Sequence, residues 1–277
     1  MNEVDAVVPR VGSVSVSVVV PTIIFDEYLD LALGSLLKQD IEDFEVILVL
    51  DGVEPPSESP LFSSTRVKVV AIPERVGTPR ALNAGISAAS GEFVARLDAD
   101  DLAAPSRLRR QREFLEAHPS IGCVGSFVHI IDSGGNAIGV LEGPSEPQEI
   151  RTALLTSNPL VHSSLMYRRT VVERVGLYSH EMTRMQDYDL LLRLALSTEI
   201  AMLPEVLTSY RVHLGQHSRR SVPWQKYTFR VMSRRMDLAR ASGSSPVGQL
   251  LRNAFWFAGQ LLRHFGLVKP GYLRRAR

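Results

Sequence analysis

Three carboxylates fall within four positions at Asp98-Ala99-Asp100-Asp101, directly after the apolar run Glu92 to Leu97. A loop that follows a strand can turn two such side chains toward one point. Clustered oxygen ligands suit Mg²⁺ or Mn²⁺, which in turn bridge the phosphate oxygens of a nucleotide. Taken alone, the same residues also read as solvated loop carboxylates or as caps of the next helix. Arg75, Arg80 and Arg96 stand near the same stretch, where guanidinium groups can pair with phosphate oxygens or simply face water. The one cysteine, Cys123, sits in an apolar run with no second thiol to complete a metal set or a disulfide, so it reads as a small core residue.

Positioning these groups requires strands with polar ends. Val14 to Val20 is a β-branched run broken by Pro21, and Phe44 to Leu50 is a second apolar run ending at Asp51-Gly52. Both read as buried parallel strands. Between them Leu29, Ala32, Leu33, Leu36 and Leu37 recur at helical spacing, with Asp26 placed to cap the first turn. The pattern repeats with Val67 to Ile72 as strand, a helix capped by Thr78 with Pro79 at its first position, and Glu92 to Leu97 as strand. Alternation of this kind predicts an α/β fold, an open and mostly parallel sheet covered on both faces. Ligands of such sheets gather beyond the carboxyl ends of the strands, where Pro21-Thr22, Asp51 and Asp98 to Asp101 lie. A helix follows Pro105, then a strand from Cys123 to Ile131 and a turn over 132–136. Beyond Gln216 two amphipathic helices are expected, Trp224 to Ala241 and Val247 to Phe265, joined by Ser242-Gly243-Ser244-Ser245-Pro246.

With 45% apolar and 22% charged residues, the 277-residue chain has enough apolar material for a large folded domain and is not disordered. No run approaches the ~18 apolar residues of a membrane-spanning helix. The acidic start of the chain does not resemble a signal peptide, so a cytoplasmic protein is expected. The net charge of +1 hides an asymmetry. From Gln216 onward eleven Arg and two Lys face Asp237 alone, a local charge of +12, so the preceding residues carry −11. A basic tail on an acidic body suits anionic lipid headgroups or nucleic acid, and it also suits solvated helix faces. It carries no nucleic-acid-binding motif, so no nucleic-acid partner is expected.

The segment Gly77 to Leu108, GTPRALNAGISAASGEFVARLDADDLAAPSRL, resembles the signature region of the family 2 glycosyltransferases with the GT-A fold. Gln111, His118-Pro119, Val124-Gly125-Ser126, Ser17 to Thr22, Asn158 to Met166, Gln186 to Leu194 and Tyr210 to His213 match the family pattern in order, over about 200 residues. The resemblance implies an inverting transfer of a sugar from a nucleoside-diphosphate donor, UDP-, dTDP- or GDP-linked, to a hydroxyl of a saccharide or lipid-linked acceptor. It implies a Rossmann-like GT-A domain over 1–215, with a nucleotide half at 14–104 and an acceptor half at 105–215, followed by a basic, aromatic helical tail over 216–277. Pro21 and Thr22 would pack on the nucleoside, Asp51 would bond the base, and Asp98 would meet the ribose. Asp100 would hold Mn²⁺ or Mg²⁺ on the diphosphate, with His213 as a further ligand or phosphate contact. Asp187 corresponds to the catalytic base, its alternative being a helix N-cap, and His162 to a residue of the acceptor pocket. The chain departs from the family where Ile23-Ile24 replaces Tyr-Asn, where Leu50 and Val53 flank Asp51-Gly52 in place of Asp and Ser, and where Gln186 replaces Glu. The first two alter the base pocket, and the third makes the surroundings of Asp187 less negative.

Two further readings share parts of this pattern. A non-catalytic nucleotide- or sugar-binding protein would have lost the metal carboxylate or the base, yet Asp100 and Asp187 are both present. A nucleotidyltransferase would carry a glycine-rich phosphate loop near its first strand, where this chain has Pro21-Thr22-Ile23-Ile24. In the tail, Phe255, Trp256, Phe257, Leu261, Leu262 and Phe265 alternate with Arg252, Arg263 and His264. That stripe fits either packing on the body or a peripheral contact with the inner face of the plasma membrane. His118, His129, His180, His217 and His264 are expected at the surface or in packing.

Overall fold

Val16–Thr22 (β1) and Phe44–Asp51 (β2) are almost wholly apolar because both faces of each strand are covered. In the computed structural model, which describes residues 14–54, 64–213, 226–265 and 267, they pair in parallel with Val18 opposite Val46. Glu27–Leu36 (α1) connects them, capped as expected by Asp26, whose carboxylate accepts from the Leu29 amide at 3.0 Å. Val67–Ile72 (β3) adds a half-exposed edge, Thr78–Ala88 (α2) crosses back, and Phe93–Arg96 (β4) pairs with the free side of β1. The order 3-2-1-4 therefore reverses beside β1, which is where open α/β sheets hold ligands. Alternation along the strands sorts the core into two layers. Val18, Val20, Val46 and Leu48 meet Leu29, Leu33 and Leu36 of α1, while Val19, Ile47 and Val49 meet Leu82 and Ile86 of α2.

The chain continues through Leu102–Ala103 (β5), Arg107–Ala117 (α3), the hairpin Ile121–Ile131 (β6) and Ala137–Leu141 (β7), and Pro147–Leu154 (α4). Met166–Arg168 (β8), Arg169–Arg174 (α5), Gln186–Ser197 (α6) and Glu199–Arg211 (β9) follow. The sheet order is β3-β2-β1-β4-β8-β6-β9-β5, with β7 on β6. Because β8 is antiparallel to both β4 and β6, and β9 is parallel to β6, six of the nine strands run the same way. The mostly parallel sheet is thus present, and the ends of β1, β2, β4 and β9 share one edge. Cys123 is buried in the core, and burial pushes its thiol up.

Two local expectations are corrected. Pro21 does not break β1. It pairs with Val49 on β2 but lies past the last pairing to β4, Val19 with Arg96, so its missing N–H interrupts no ladder on that side. The cap of α2 is Gly77 and not Thr78, which is already helical. After residue 225 come Lys226–Ala241 (α7) and Pro246–His264 (α8); Trp224 and His217 lie outside the described residues. Val231, Leu238 and Ala239 of α7 join the same buried cluster as Leu190 to Leu194 of α6, so α7 is part of the body.

Candidate active site

Just past β4 the Asp101 amide bonds back to the Asp98 carbonyl at 3.1 Å, and carboxylate oxygens of Asp98, Asp100 and Asp101 lie within 4.8 Å of one another. Three anions this close repel, and each is steadied from a different element. Asp98 accepts from the Ser163 hydroxyl at 2.9 Å and from Arg96. Burial alone would raise its carboxyl, but the Arg96 guanidinium outweighs that and holds it down at about 2. Asp100 meets Nε2 of His213 at 2.9 Å, from just beyond β9. Burial and then Asp98 push its carboxyl up, with His213 opposing. Asp101 is fully buried and accepts the Arg211 amide at 2.8 Å, and burial with its two acidic neighbours holds its carboxyl well above the ordinary range. The three carboxylates are an oxygen donor set suited to Mn²⁺ or Mg²⁺, and His213 stands beside Asp100. Tyr28 of α1 closes this corner, its ring 4.6 Å from the Arg211 guanidinium and 5.4 Å from the His213 ring.

At the neighbouring strand ends, Pro21 is half-buried and Thr22 is buried, its hydroxyl donating to the Ile24 carbonyl at 2.6 Å. That turn leaves Ile23 and Ile24 exposed on the edge. Asp51 is buried, and its two oxygens accept the backbone amides of Val76 and Gly77 at 2.6 and 2.9 Å. It clamps the loop between β3 and α2, a role the sequence did not suggest. Arg75 and Arg80 are exposed on that loop and on the first turn of α2. Arg96 corrects the expectation that it faces phosphate. It is buried, paired with Asp98 and bonded to Ser163 Oγ at 3.0 Å, so it works behind the carboxylates.

Asp187 lies in the first turn of α6, one residue inside the helix. The N-cap is Met185, held at φ 55° in the left-handed region, so the reading of Asp187 as the cap is overturned. Burial raises the Asp187 carboxyl, while Arg96 and the amide of Asn158, 2.9 Å away, pull it back. Arg96 thus lies within electrostatic reach of both Asp98 and Asp187. His162, in a 3₁₀ turn with Ser163, bonds through Nε2 to the Tyr178 hydroxyl at 2.7 Å, which also meets Tyr167 at 3.1 Å. Burial and the Arg96 charge hold the imidazole well below its usual value, so it is neutral. Four residues that the sequence left without a role, Tyr28, Asn158, Ser163 and Tyr178, therefore hold the candidate groups in place. An open depression of about 550 Å³ between α4 and the ends of α6 and α7 contains none of these carboxylates.

The α/β sheet thus carries an acidic cluster at its switch point, with the Asp187 carboxylate at the start of α6. Residues 17–176 match the family described as Glycosyl transferase family 2, more than half of the chain, and the protein belongs to that family. It is 31% identical over 220 residues to the amylovoran biosynthesis glycosyltransferase AmsE of Erwinia amylovora, covering 77% of this chain and 81% of that one. It is 28% identical to the O-antigen biosynthesis glycosyltransferase WbnJ of Escherichia coli, covering 72% and 80%. Among solved structures, S. aureus TarS 1-349 in complex with UDP-GlcNAc aligns with a TM-score of 0.66 at 21% identity, over 91% of this chain and 73% of that one. The mannosyltransferase PcManGT from Pyrobaculum calidifontis, in complex with GDP-Man and Mn²⁺, aligns at 0.56 with 19% identity, over 94% and 77%. At such identities the likeness shows the fold, which is GT-A.

Proposed function

We propose that this glycosyltransferase moves a hexosyl group from a nucleoside-diphosphate sugar to an acceptor hydroxyl with inversion, in the synthesis of a cell-surface polysaccharide or glycolipid. The observation that carries the reading is the pairing of Asp100 with His213 at the carboxylate cluster while Asp187 stands separately, half-buried and with its carboxyl raised, at the start of α6. Residues 14–104 bind the donor, with Pro21, Thr22 and Arg80 toward the nucleotide, Asp51 toward the base while it also fixes the adjoining loop, and Asp98 toward the ribose. Residues 105–215 bind the acceptor, with His162 lining its pocket. Asp100 and His213 would hold Mn²⁺ or Mg²⁺, which supplies positive charge against the departing diphosphate.

Asp187 accepts the proton of the acceptor hydroxyl as that oxygen attacks the anomeric carbon. The sugar–phosphate bond breaks on the opposite face, the nucleoside diphosphate leaves with the bonding pair, and the single displacement inverts the centre. Neutral His162, anchored by Tyr178, can hydrogen-bond the acceptor without adding charge near Arg96. Two structural neighbours are complexes with UDP-GlcNAc and with GDP-Man, which supports a UDP-, dTDP- or GDP-linked donor. AmsE and WbnJ, glycosyltransferases of amylovoran and O-antigen biosynthesis, support the saccharide or lipid-linked acceptor. We place the enzyme in the cytoplasm at the inner face of the plasma membrane; no helix among the described residues is long and apolar enough to cross it.

The test is Asp187→Asn. A general base contributes ~10²–10⁴-fold in rate, and the amide keeps nearly the same shape, so transfer falls by that factor while donor affinity is unchanged. Near-wild-type transfer by a folded, donor-binding variant would remove Asp187 from the mechanism.

A further inference from the structure

Helix α8 is amphipathic, but it packs on the body with its polar side. Gln249 and Asn253, one turn apart, and Gln260 are buried. The Gln249 amide donates to the Leu155 carbonyl at 2.9 Å and to Asn253 at 3.1 Å, and Asn253 donates to the Met232 carbonyl of α7 at 3.1 Å. The opposite side carries Val247, Leu251, Phe255, Leu262 and Phe265, all exposed, with Phe255 at 78%. The expected aromatic stripe is therefore split. Trp256 lies under the Arg235 guanidinium at 5.2 Å and Phe257 beside Phe229 at 6.1 Å, while Phe255 and Phe265 face outward. An apolar face this long on a helix already docked by its polar residues is available to an apolar phase.

Charge identifies that phase. Residues 226–265, which include α7 and α8, carry seven Arg and Lys against Asp237, a net +6, so long-range attraction favours an anionic surface at this end of the molecule. The same charge opposes a symmetric contact between two copies through α8, where like would meet like. We infer that the outer face of α8 inserts into the headgroup region of an anionic lipid bilayer, lying in the plane of the interface with Arg252 at its flank. The inference sharpens the membrane placement proposed above, and its test does not depend on catalysis.

The experiment is co-sedimentation of the full chain with vesicles of phosphatidylcholine alone and of phosphatidylcholine mixed with phosphatidylglycerol. The wild type is expected to partition onto the mixed vesicles and to be released by salt. Leu251→Ser and Phe255→Ser each remove a side chain from the apolar phase, which lowers partitioning by about tenfold or more. Arg252→Glu weakens binding to the mixed vesicles only. All three positions are exposed, so unchanged thermal unfolding and donor affinity are expected and separate this result from the catalytic reading. Equal sedimentation of wild type and both serine variants would overturn the inference. So would a wild-type dimer in lipid-free sedimentation equilibrium that Phe255→Ser dissociates, because the face would then belong to a second copy.

Discussion

The bond from Asn158 to Asp187 makes the candidate base adjustable. Burial raises the Asp187 carboxyl above the 3.8 of an exposed group, and the Tyr188 amide, the Arg96 charge and, less strongly, the Asn158 amide oppose that rise. Since the base acts ionised, transfer falls as pH drops through the raised value, so the acid limb of kcat/KM lies higher than an exposed Asp would give. Asn158→Ala removes the opposing bond and is expected to move that limb to higher pH, read from pH profiles of both proteins; an unmoved limb would detach Asn158 from the base. The same shift fixes a stability sign. A carboxyl raised in the fold favours folding below its unfolded value and loses that contribution as pH rises through the folded one, so Asp187→Asn is expected to be at least as stable as wild type at neutral pH. Asp100→Ala takes away the half-buried carboxylate that His213 touches. Turnover is expected to fall at least ~10²-fold, and the Mn²⁺-dependent gain in nucleoside diphosphate affinity to vanish with UDP, dTDP and GDP alike. Titration calorimetry with and without Mn²⁺ measures this, and a retained gain refutes Asp100 as the ligand.

Elements carry these residues to one edge, and their junctions are more constrained than their interiors. At the end of β2, Gly52 has φ +71°, and a Cβ there would stand 2.6 Å from the Arg75 backbone nitrogen. Close approach of that loop is what lets Asp51 reach the Val76 and Gly77 amides. Gly52→Ala is accordingly expected to cost about 1–3 kcal/mol in urea unfolding, through the left-handed conformation and the displaced loop, and to weaken donor binding as well. A variant with wild-type stability would show that the loop yields freely. The same clamp explains the shifted cap of α2. A cap chosen from Thr78 and Pro79 considers only local bonds, whereas Asp51, 26 residues earlier, holds Gly77 where the helix starts.

For the whole molecule, the tail divides into α7, built into the core, and α8, whose apolar side faces outward. Leu238 of α7 is fully buried in the cluster that includes α6. Leu238→Ala is expected to cost about 2–5 kcal/mol and to lower the midpoint of one cooperative transition of the entire chain. If α7 were an independent appendage, the main transition would stay where it is. Arg235 and Gln249 reinforce the attachment by donating to one carbonyl, that of Leu155 at the end of α4. That attachment orients α8 and leaves its apolar side outward.

Sequence by itself determined the first parallel strands of the sheet, because period, caps and turn residues act between near neighbours. Val16–Thr22, Phe44–Asp51, the Asp26 cap and the placement of Asp98 to Asp101 just past a strand were all legible on that basis. The resemblance located Asp187 and His213 but gave no geometry for them. Only the tertiary structure decided that Arg96 turns inward to Asp98, that Asp51 clamps a loop, and that Ser163, Asn158 and Tyr178 serve the site. Those partners are separated by 65 positions for Ser163 and Asp98, 29 for Asn158 and Asp187, and 113 for His213 and Asp100. Their meeting depends on the strand order across the sheet. The orientation of α8 has the same cause: its sequence makes it amphipathic, but which side docks depends on the carbonyls of Leu155 and Met232 waiting on the body.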